Sequence, residues 1–362
     1  MKHKYHPYVP KWRPGQDVKK MRRRKARRTI WLILLLLVLL FIGWVAFGLL
    51  RPAGKSGKEG FIYIRPTTTM AQVETQLTRE IGLRNSSFMK LGNKLLRVER
   101  NLRPGRYAVT GRMSLVKLYR VLLYGNQTPL KITFNNIRTQ QQLVETLSKP
   151  LAFDADSLTA LLTDTAFCDS LGFNTETIRC LFIPDTYEVY WTITPRELID
   201  KIATGYRHFW NDQKTEMAHK EGLSPIDVCI IASIVEEESA QTKEYSDIAG
   251  LYINRLRRGM KLQADPTLKY AQGNFAAKRI NGEMLQTDSP YNTYRYEGLP
   301  PGPIRYPQKS SLEAVLHYTH HDFYYMCARS DFSGYHDFAR FYTEHQLNAL
   351  RYQKALNERN IH

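Results

Sequence analysis

The chain has 362 residues, of which 43% are hydrophobic, 24% charged and 12% aromatic; this supplies roughly one to three packed domains and excludes a wholly disordered chain. Gly (21) and Pro (17) are too few for a collagen-like or low-complexity protein. Cys168, Cys180, Cys229 and Cys327 are scattered and form no CxxC pair, which argues against a disulfide scaffold and a structural zinc site. The formal net charge is +18, and its distribution carries more information than its size.

Residues 1–28 hold six Lys, six Arg and one Asp, a net of +11, so the other 334 residues carry only +7. Such a tail can bind nucleic acid, lie on a membrane surface or set membrane topology. The next segment decides among these. Thr29 to Leu50 has no charge over 22 residues, and at ~1.5 Å per residue it spans about 33 Å, the thickness of a bilayer core. Trp31 and Trp44 are candidate interfacial anchors, Trp44 being deep for that role. The MRRRKARR cluster before the span predicts an N-terminus inside the cytoplasm, with the chain from about residue 51 outside it. A cleaved signal peptide is the alternative, but its apolar region is normally about 7–15 residues, and no clean small-x-small site follows. The tail then reads as an anchor, with no nucleic-acid partner. An oxidising location would permit disulfides, though the Cys spacings suggest no particular pair.

The expected organisation is a basic tail (1–28), a transmembrane helix (29–50), a polar Gly-rich linker (51–60), a small module (61–135) and a larger mixed domain (136–355). FIYIRP (61–66) alternates like a strand. Thr69 and Gln72 have capping-box spacing at the head of a helix, and a second helical stretch follows near 86–98. RPGRYAV (103–109) reads as turn plus strand. This strand–helix–helix–strand order resembles small LysM-like glycan-binding modules; a plain α+β spacer fits it as well. Further on, 114–125 is amphipathic, 129–134 is strand-like and 139–210 is largely helical. In LFIPDTYEVYW (181–191), Pro184-Asp185 marks a turn, either a plain helix-to-strand link or the lining of a cleft. The fold class predicted is α+β, with a Glu-bearing helix in the larger domain.

That helix is well specified. Ser224 suits the N-cap, Pro225 the first helical position, and Asp227 the positive end of the dipole. On a wheel of about 100° per residue from Ile226, the residues Ile230, Ile231, Ile234 and Val235 centre near ~110°. Glu238 falls at ~120°, inside that stripe, with Glu237 near ~20° on its flank and Glu236 near ~280° opposite. Glu236 is therefore expected to be solvated and Glu237 marginal. Glu238 is expected to be buried, where desolvation raises a carboxyl pKa and leaves a proton to donate. In the alternative, burial ends at Val235 and all three Glu form a charged last turn, although three anions there oppose the helix dipole. A second helix, roughly 244–258, has Ile248, Leu251, Tyr252 and Leu256 on one face and Gly259 as its stop. The two would meet near Glu238.

IIASIVEEESA, IAGLYINRLRRGMKLQADPTLKYA (248–271) and SPYNTYRYEGLPPGPI (289–304), in that order, resemble the MltG (YceG-like) family of membrane-anchored endolytic murein transglycosylases. RPGRYAV and IPDTYEVYW extend the resemblance more weakly over most of 60–350. By motif, the family's catalytic glutamate corresponds to Glu238, before Ser239; Glu237 stands where relatives often have Lys, adding a negative neighbour. His336-Asp337-Phe338 and His345 only approximate the family's tail pattern and are left out of the expected catalytic set. The resemblance implies cleavage of the β-1,4 bond between N-acetylmuramic acid and N-acetylglucosamine, with Glu238 as acid and then base and the sugar's own 6-hydroxyl as nucleophile. It implies peptidoglycan glycan strands as substrate, the bilayer as a partner through 29–50, peptidoglycan synthases as neighbours and no cofactor.

Gln263, Asp265, Tyr291, Asn292, Thr293 and Tyr294 offer sugar-binding groups, and Asn254 an amide; for Asp265 before Pro266 a turn role fits equally, and for Asn254 a place on the helix surface. The loop from Gly298 to Pro303 is stiff and expected to shape the cleft wall. HYTHH (317–321) lacks a partner motif for a metal site. Competing readings are a muramidase-type hydrolase pairing Glu238 with Asp265, and a non-catalytic glycan-binding or divisome scaffold. The wheel further predicts that Glu238→Gln abolishes cleavage while Glu236→Gln is nearly silent.

Overall fold

The structure, a computed structural model, describes Lys4, Pro7 and residues 14–84, 86–277 and 280–359. The chain divides into two compact units, Met1–Thr128 and Pro129–His362. In the first, helix α1 (Pro14–Leu50) is continuous through the basic cluster into the apolar run. Its stretch Lys19–Leu50 is long and apolar enough to cross a membrane, with a mean hydropathy of 3.0 over its most apolar window. The side chains from Ile30 to Ile42 are exposed all round, as a lipid-facing helix requires.

Strand β1 (Glu59–Ile64), helices α2 (Met70–Ile81) and α3 (Ser86–Leu96), and strand β2 (Gly105–Thr110) follow in the expected order. The strands pair antiparallel, with Ile62 opposite Tyr107. Alternation decides the faces: Ile62 and Ile64 are buried, while Phe61 and Tyr63 stay exposed. Thr69 and Gln72 form the predicted capping box at the start of α2. Helix α4 (Leu115–Tyr124), capped by Ser114, adds Leu115, Leu118 and Leu122 to the core of this unit.

The second unit opens with β3 (Leu130–Thr133), α5 (Gln140–Ser148), α6 (Ala155–Thr163) and α7 (Thr165–Ser170). Strand β4 (Thr186–Val189) pairs antiparallel with β3, and Pro184-Asp185 links it to a preceding short 3-10 helix. Then come α8 (Pro195–Phe209), α9 (Asp212–Lys220), α10 (Pro225–Glu238), α11 (Tyr245–Arg257), α12 (Asp265–Gln272), α13 (Gly282–Leu285) and α14 (Lys309–Leu316). The hairpin β5 (Tyr325–Ala328) and β6 (His336–Ala339) and helix α15 (Tyr342–Glu358) complete it.

Helix α10 is the centre of this unit. Every residue from Val228 to Val235 is buried, so it has no solvated face at all. Helices α11, α12 and α14 pack around it. Ser233, inside this apolar run, satisfies its hydroxyl by donating to Ile230 O at 2.7 Å and accepting the Ile304 N–H at 3.0 Å.

Candidate active site

Glu238 is the last residue of α10, and the chain leaves the helix at Ser239 in an extended conformation. The start of the helix is fixed as expected. Ser224 Oγ accepts the Asp227 N–H at 3.1 Å, and Asp227 Oδ2 accepts the Ser224 N–H at 2.8 Å. After a short turn α11 packs on α10 and brings Tyr252 to Glu238, where the Tyr252 hydroxyl donates to Oε1 at 2.6 Å. Burial pushes the Glu238 carboxyl up to about 7; the Tyr252 hydrogen bond opposes this, Asp265 adds to it, and Lys269 and Arg255 oppose it. The residue keeps some accessible surface, which faces a cavity of about 390 Å³.

The other two glutamates depart from the expected pattern. The Glu236 side chain is only 7% exposed. Its carboxylate meets Arg305 at 2.9 Å and accepts the Gln308 N–H at 2.7 Å and the Ser311 hydroxyl at 2.6 Å. Glu237 accepts from Arg305 at 2.8 Å and from Arg138 at 2.7 Å. Glu236 is therefore not solvated. The wheel assumed one wet face, and a helix buried all round has none, so each carboxylate on it needs a partner. Those partners are distant in sequence. Arg305, itself held to Asn136 Oδ1 at 2.9 Å, bridges both acids and locks the end of α10 beside Glu238.

The cavity gathers Glu238, Tyr252 and Arg255 from α10 and α11, Gln263 and Asp265 from the segment entering α12, Tyr294, the strand Tyr325–Ala328, and His336, Tyr342 and His345. Arg255 braces two walls: Nε donates to Tyr324 O at 2.6 Å, and Nη1 to Leu262 O at 2.8 Å. Gln263 has φ +50, a left-handed conformation that a non-glycine residue rarely takes, and it turns the chain into the cavity. Asp265 accepts the Tyr294 hydroxyl at 2.5 Å, so these two reach the cavity as a hydrogen-bonded pair.

Of the residues singled out from sequence, the structure thus brings Glu238, Gln263, Asp265 and Tyr294 to one cavity. It places the other four in packing. Asn254 donates to the carbonyls of His321 at 2.6 Å and Phe323 at 3.2 Å, clipping α11 to the stretch before β5. Asn292 is fully buried and donates to Leu285 O and Thr287 O. Thr293 accepts the Ala264 N–H at 3.0 Å and is 2.9 Å from Thr267 Oγ1, which anchors the LQADPT segment from behind. The Tyr291 hydroxyl lies in a separate cluster, donating to Glu176 Oε2 at 2.6 Å beside Arg179. The loop from Gly298 to Pro303 does not line the cavity. Gly302 lies against Glu176, where a Cβ would come within 2.5 Å of the carbonyl oxygen.

Sequence reasoning missed Tyr252 as the partner of Glu238, Arg255 as a brace, and both tail histidines. His336-Asp337-Phe338 and His345 were set aside as only an approximate match to the family's tail pattern, yet both His line the cavity. His345 has no hydrogen-bond partner for its buried Nδ1, and burial lowers its pKa. Of the HYTHH run, His321 is tied to α11 through Asp247 O at 2.9 Å. Among the described residues no three His, Cys, Asp or Glu are grouped to hold a metal ion.

A larger depression of about 630 Å³ lies beside β4 and α8, lined by residues such as Glu188, Tyr190 and Lys201. Its Glu197 is spent on the cap of α8, and hydrogen bonding there lowers its pKa, whereas burial raises that of Glu238; the smaller cavity is the better candidate site.

A stretch of 146 residues is 38% identical to the endolytic murein transglycosylase of Bacillus subtilis, covering 40% of this chain and 39% of that protein. A stretch of 149 residues is 33% identical to the protein of the same name from Streptococcus pneumoniae, covering 40% and 27%. The matched stretch thus spans under half the length of either curated relative. The fold is similar to a crystal structure of a YceG-like protein from Listeria monocytogenes, with a TM-score of 0.54 and 24% identity over 81% of this chain and 99% of that one. The YceG-like family model matches residues 62–351, which is most of the chain. This protein belongs to the YceG-like family.

Proposed function

We propose that the protein is a membrane-anchored endolytic lytic transglycosylase that cuts the MurNAc-β-1,4-GlcNAc bond within glycan strands and leaves 1,6-anhydro-MurNAc ends. One observation carries the reading: the Glu238 carboxyl faces a cavity, and burial pushes its pKa up to about 7. Such a group donates a proton to a departing glycosidic oxygen. As the C1–O bond breaks, positive charge develops at muramic C1, and the 6-hydroxyl of the same sugar closes on it. No second carboxylate is required for an intramolecular nucleophile, in contrast to hydrolases, whose two acids lie about 5–5.5 Å or 6.5–9.5 Å apart. Asp265, the other carboxylate at this cavity, is engaged by Tyr294.

In this reading α1 is a single-pass anchor in the cytoplasmic membrane, its basic start in the cytoplasm and the domain from Pro129 outside. The β1–α2–α3–β2 module is a LysM-like glycan contact. Strands newly made at the membrane surface are the substrate, which makes peptidoglycan synthases the implied neighbours and strand termination the implied role. Digestion of purified sacculi tests this by product mass. Anhydro ends support it, ends one water heavier indicate a muramidase, and uncut strands indicate a scaffold. The same digestion with Glu238→Gln is expected to release nothing.

A further inference from the structure

Helix α15 carries an apolar ridge that no other described element covers. Its inner side packs on the β5–β6 hairpin, with Asn348 and Leu356 buried there. On a wheel of about 100° per residue, Leu347 and Leu350 project from the opposite side. They are 63% and 66% exposed. The polar side chains flanking them are sorted by type. The hollow on one side of the ridge carries Glu344, Arg351 and Lys354, and the hollow on the other carries Gln346 and Gln353. Glu344 and Arg351 stand two turns apart on the same flank, about 10.5 Å along the helix, with the leucines between them. Glu344 accepts the Arg340 N–H at 3.3 Å, and Arg351 donates to Asn348 Oδ1. Among the described residues neither forms an ion pair.

This order is self-complementary. In a heptad with Leu347 at a and Leu350 at d, Glu344 and Arg351 take e positions and Gln346 and Gln353 take g positions, the places that set partner and orientation in paired helices. A second copy of α15 laid antiparallel across the ridge sets Leu347 against Leu350 of the copy. The e flanks then face each other, and so do the g flanks. Glu344 of each copy meets Arg351 of the other, giving two ion pairs related by the two-fold axis, and Gln346 meets Gln353. A parallel copy would set each charged flank against a glutamine flank, with no ion pair. We propose that the Leu347–Leu350 face of α15 is the seam of an antiparallel, two-fold symmetric dimer of this protein. A bilayer surface fits the ridge less well, because a helix lying in a lipid interface carries mostly Lys and Arg on its polar face, and the charged flank here mixes both signs. The seam is short, so pairing is weak in dilute solution. Under the anchor reading, α1 keeps two copies in one bilayer and raises their local concentration. Tyr342 and His345, which line the cavity, lie away from the ridge on the wheel, so the seam itself covers neither.

The test is sedimentation of the full chain in detergent over about a hundredfold range of concentration. The wild type is expected to shift from monomer to dimer. Leu347→Gln, Glu344→Arg and Arg351→Glu are each expected to raise the dimer dissociation constant by ~10-fold or more, the charge reversals because like charges then face each other at both symmetric positions. The two reversals made in one chain are expected to pair as the wild type does. Mixing the Glu344→Arg protein with the Arg351→Glu protein is also expected to restore dimers, because each chain then meets opposite charges on the other; two misfolded proteins could not do this. All three side chains are exposed, so thermal midpoints are expected to stay together. A wild type that stays monomeric throughout overturns the seam and leaves the ridge to the bilayer or another protein. A dimer that Leu347→Gln and both reversals leave intact overturns it as well and points to a different contact, such as α1. A wild type that dimerises while the mixture does not overturns the antiparallel pairing. None of these outcomes depends on what Glu238 cuts.

Discussion

Glu238→Gln separates chemistry from stability in one substitution. The Glu238 carboxyl rises from 4.5 to about 7 on folding, chiefly through burial. The folded protein therefore holds this proton more tightly than the unfolded chain. The stability it contributes is complete below about pH 4.5 and is lost as the pH rises through about 7. At ~1.4 kcal/mol per pH unit the full difference is about 3 kcal/mol, and the carboxyl's residual exposure to cavity water reduces it to about 1–2 kcal/mol. Gln keeps the shape and still accepts the Tyr252 hydroxyl but never ionises. The variant should therefore melt with the wild type near pH 4 and about 2–6 °C above it near pH 8.5. Other titrations cancel in the difference between the two proteins. Cleavage should be lost at every pH. An equal midpoint difference at both pH values, or a variant less stable at high pH, would show that the carboxyl is solvated and refute the argument from burial.

Tyr252→Phe removes the donor that favours the ionised form of Glu238, so the alkaline limb of the pH–rate profile should move up by about one pH unit; a shift downward would mean that the hydroxyl supports the protonated form instead. Arg305→Met takes its arginine from the buried Glu236 and one of two arginines from Glu237, and should cost about 3–5 kcal/mol in denaturant unfolding. Glu236→Gln should cost about 1–3 kcal/mol of stability, and combined with Arg305→Met it should cost less than the sum of the two. Gly302→Ala meets the Glu176 backbone and should cost about 1–3 kcal/mol with the cleavage chemistry intact, measurable as a lower thermal midpoint at unchanged kcat.

Local signals in the sequence were readable because their causes are local. The caps at Thr69 and Ser224, the alternation at 61–64 and the uncharged run before Leu50 each depend on neighbours within a few residues, and each appears where expected. The wheel placed Glu238 on a buried face, and its carboxyl is buried, but the premise of one wet face was too weak. IDVCIIASIV is apolar almost throughout, which already argues for a helix enclosed on every side. The partners of Glu236 and Glu237 lay beyond any local pattern, because Arg138 is 99 positions from Glu237 and Arg305 is 68. YNTY illustrates the opposite limit. Its polar side chains suit sugars by type, yet the Asn292 amide and the Thr293 hydroxyl are used up on backbone and side-chain groups nearby, a choice that only the folded geometry makes.

The two walls of the cavity differ in how firmly they are built. One is the end of α10, enclosed over eight consecutive residues and clamped by Arg305. The other includes a two-stranded hairpin whose residues are mostly half-exposed. Amide protons of 228–235 should exchange with deuterium only when the whole unit unfolds, and those of 325–339 through small local openings. In the proposed reaction a strand with no free end nearby must be laid in sideways, and a hairpin that opens locally beside a firmly held acid would admit it while the proton donor keeps its place.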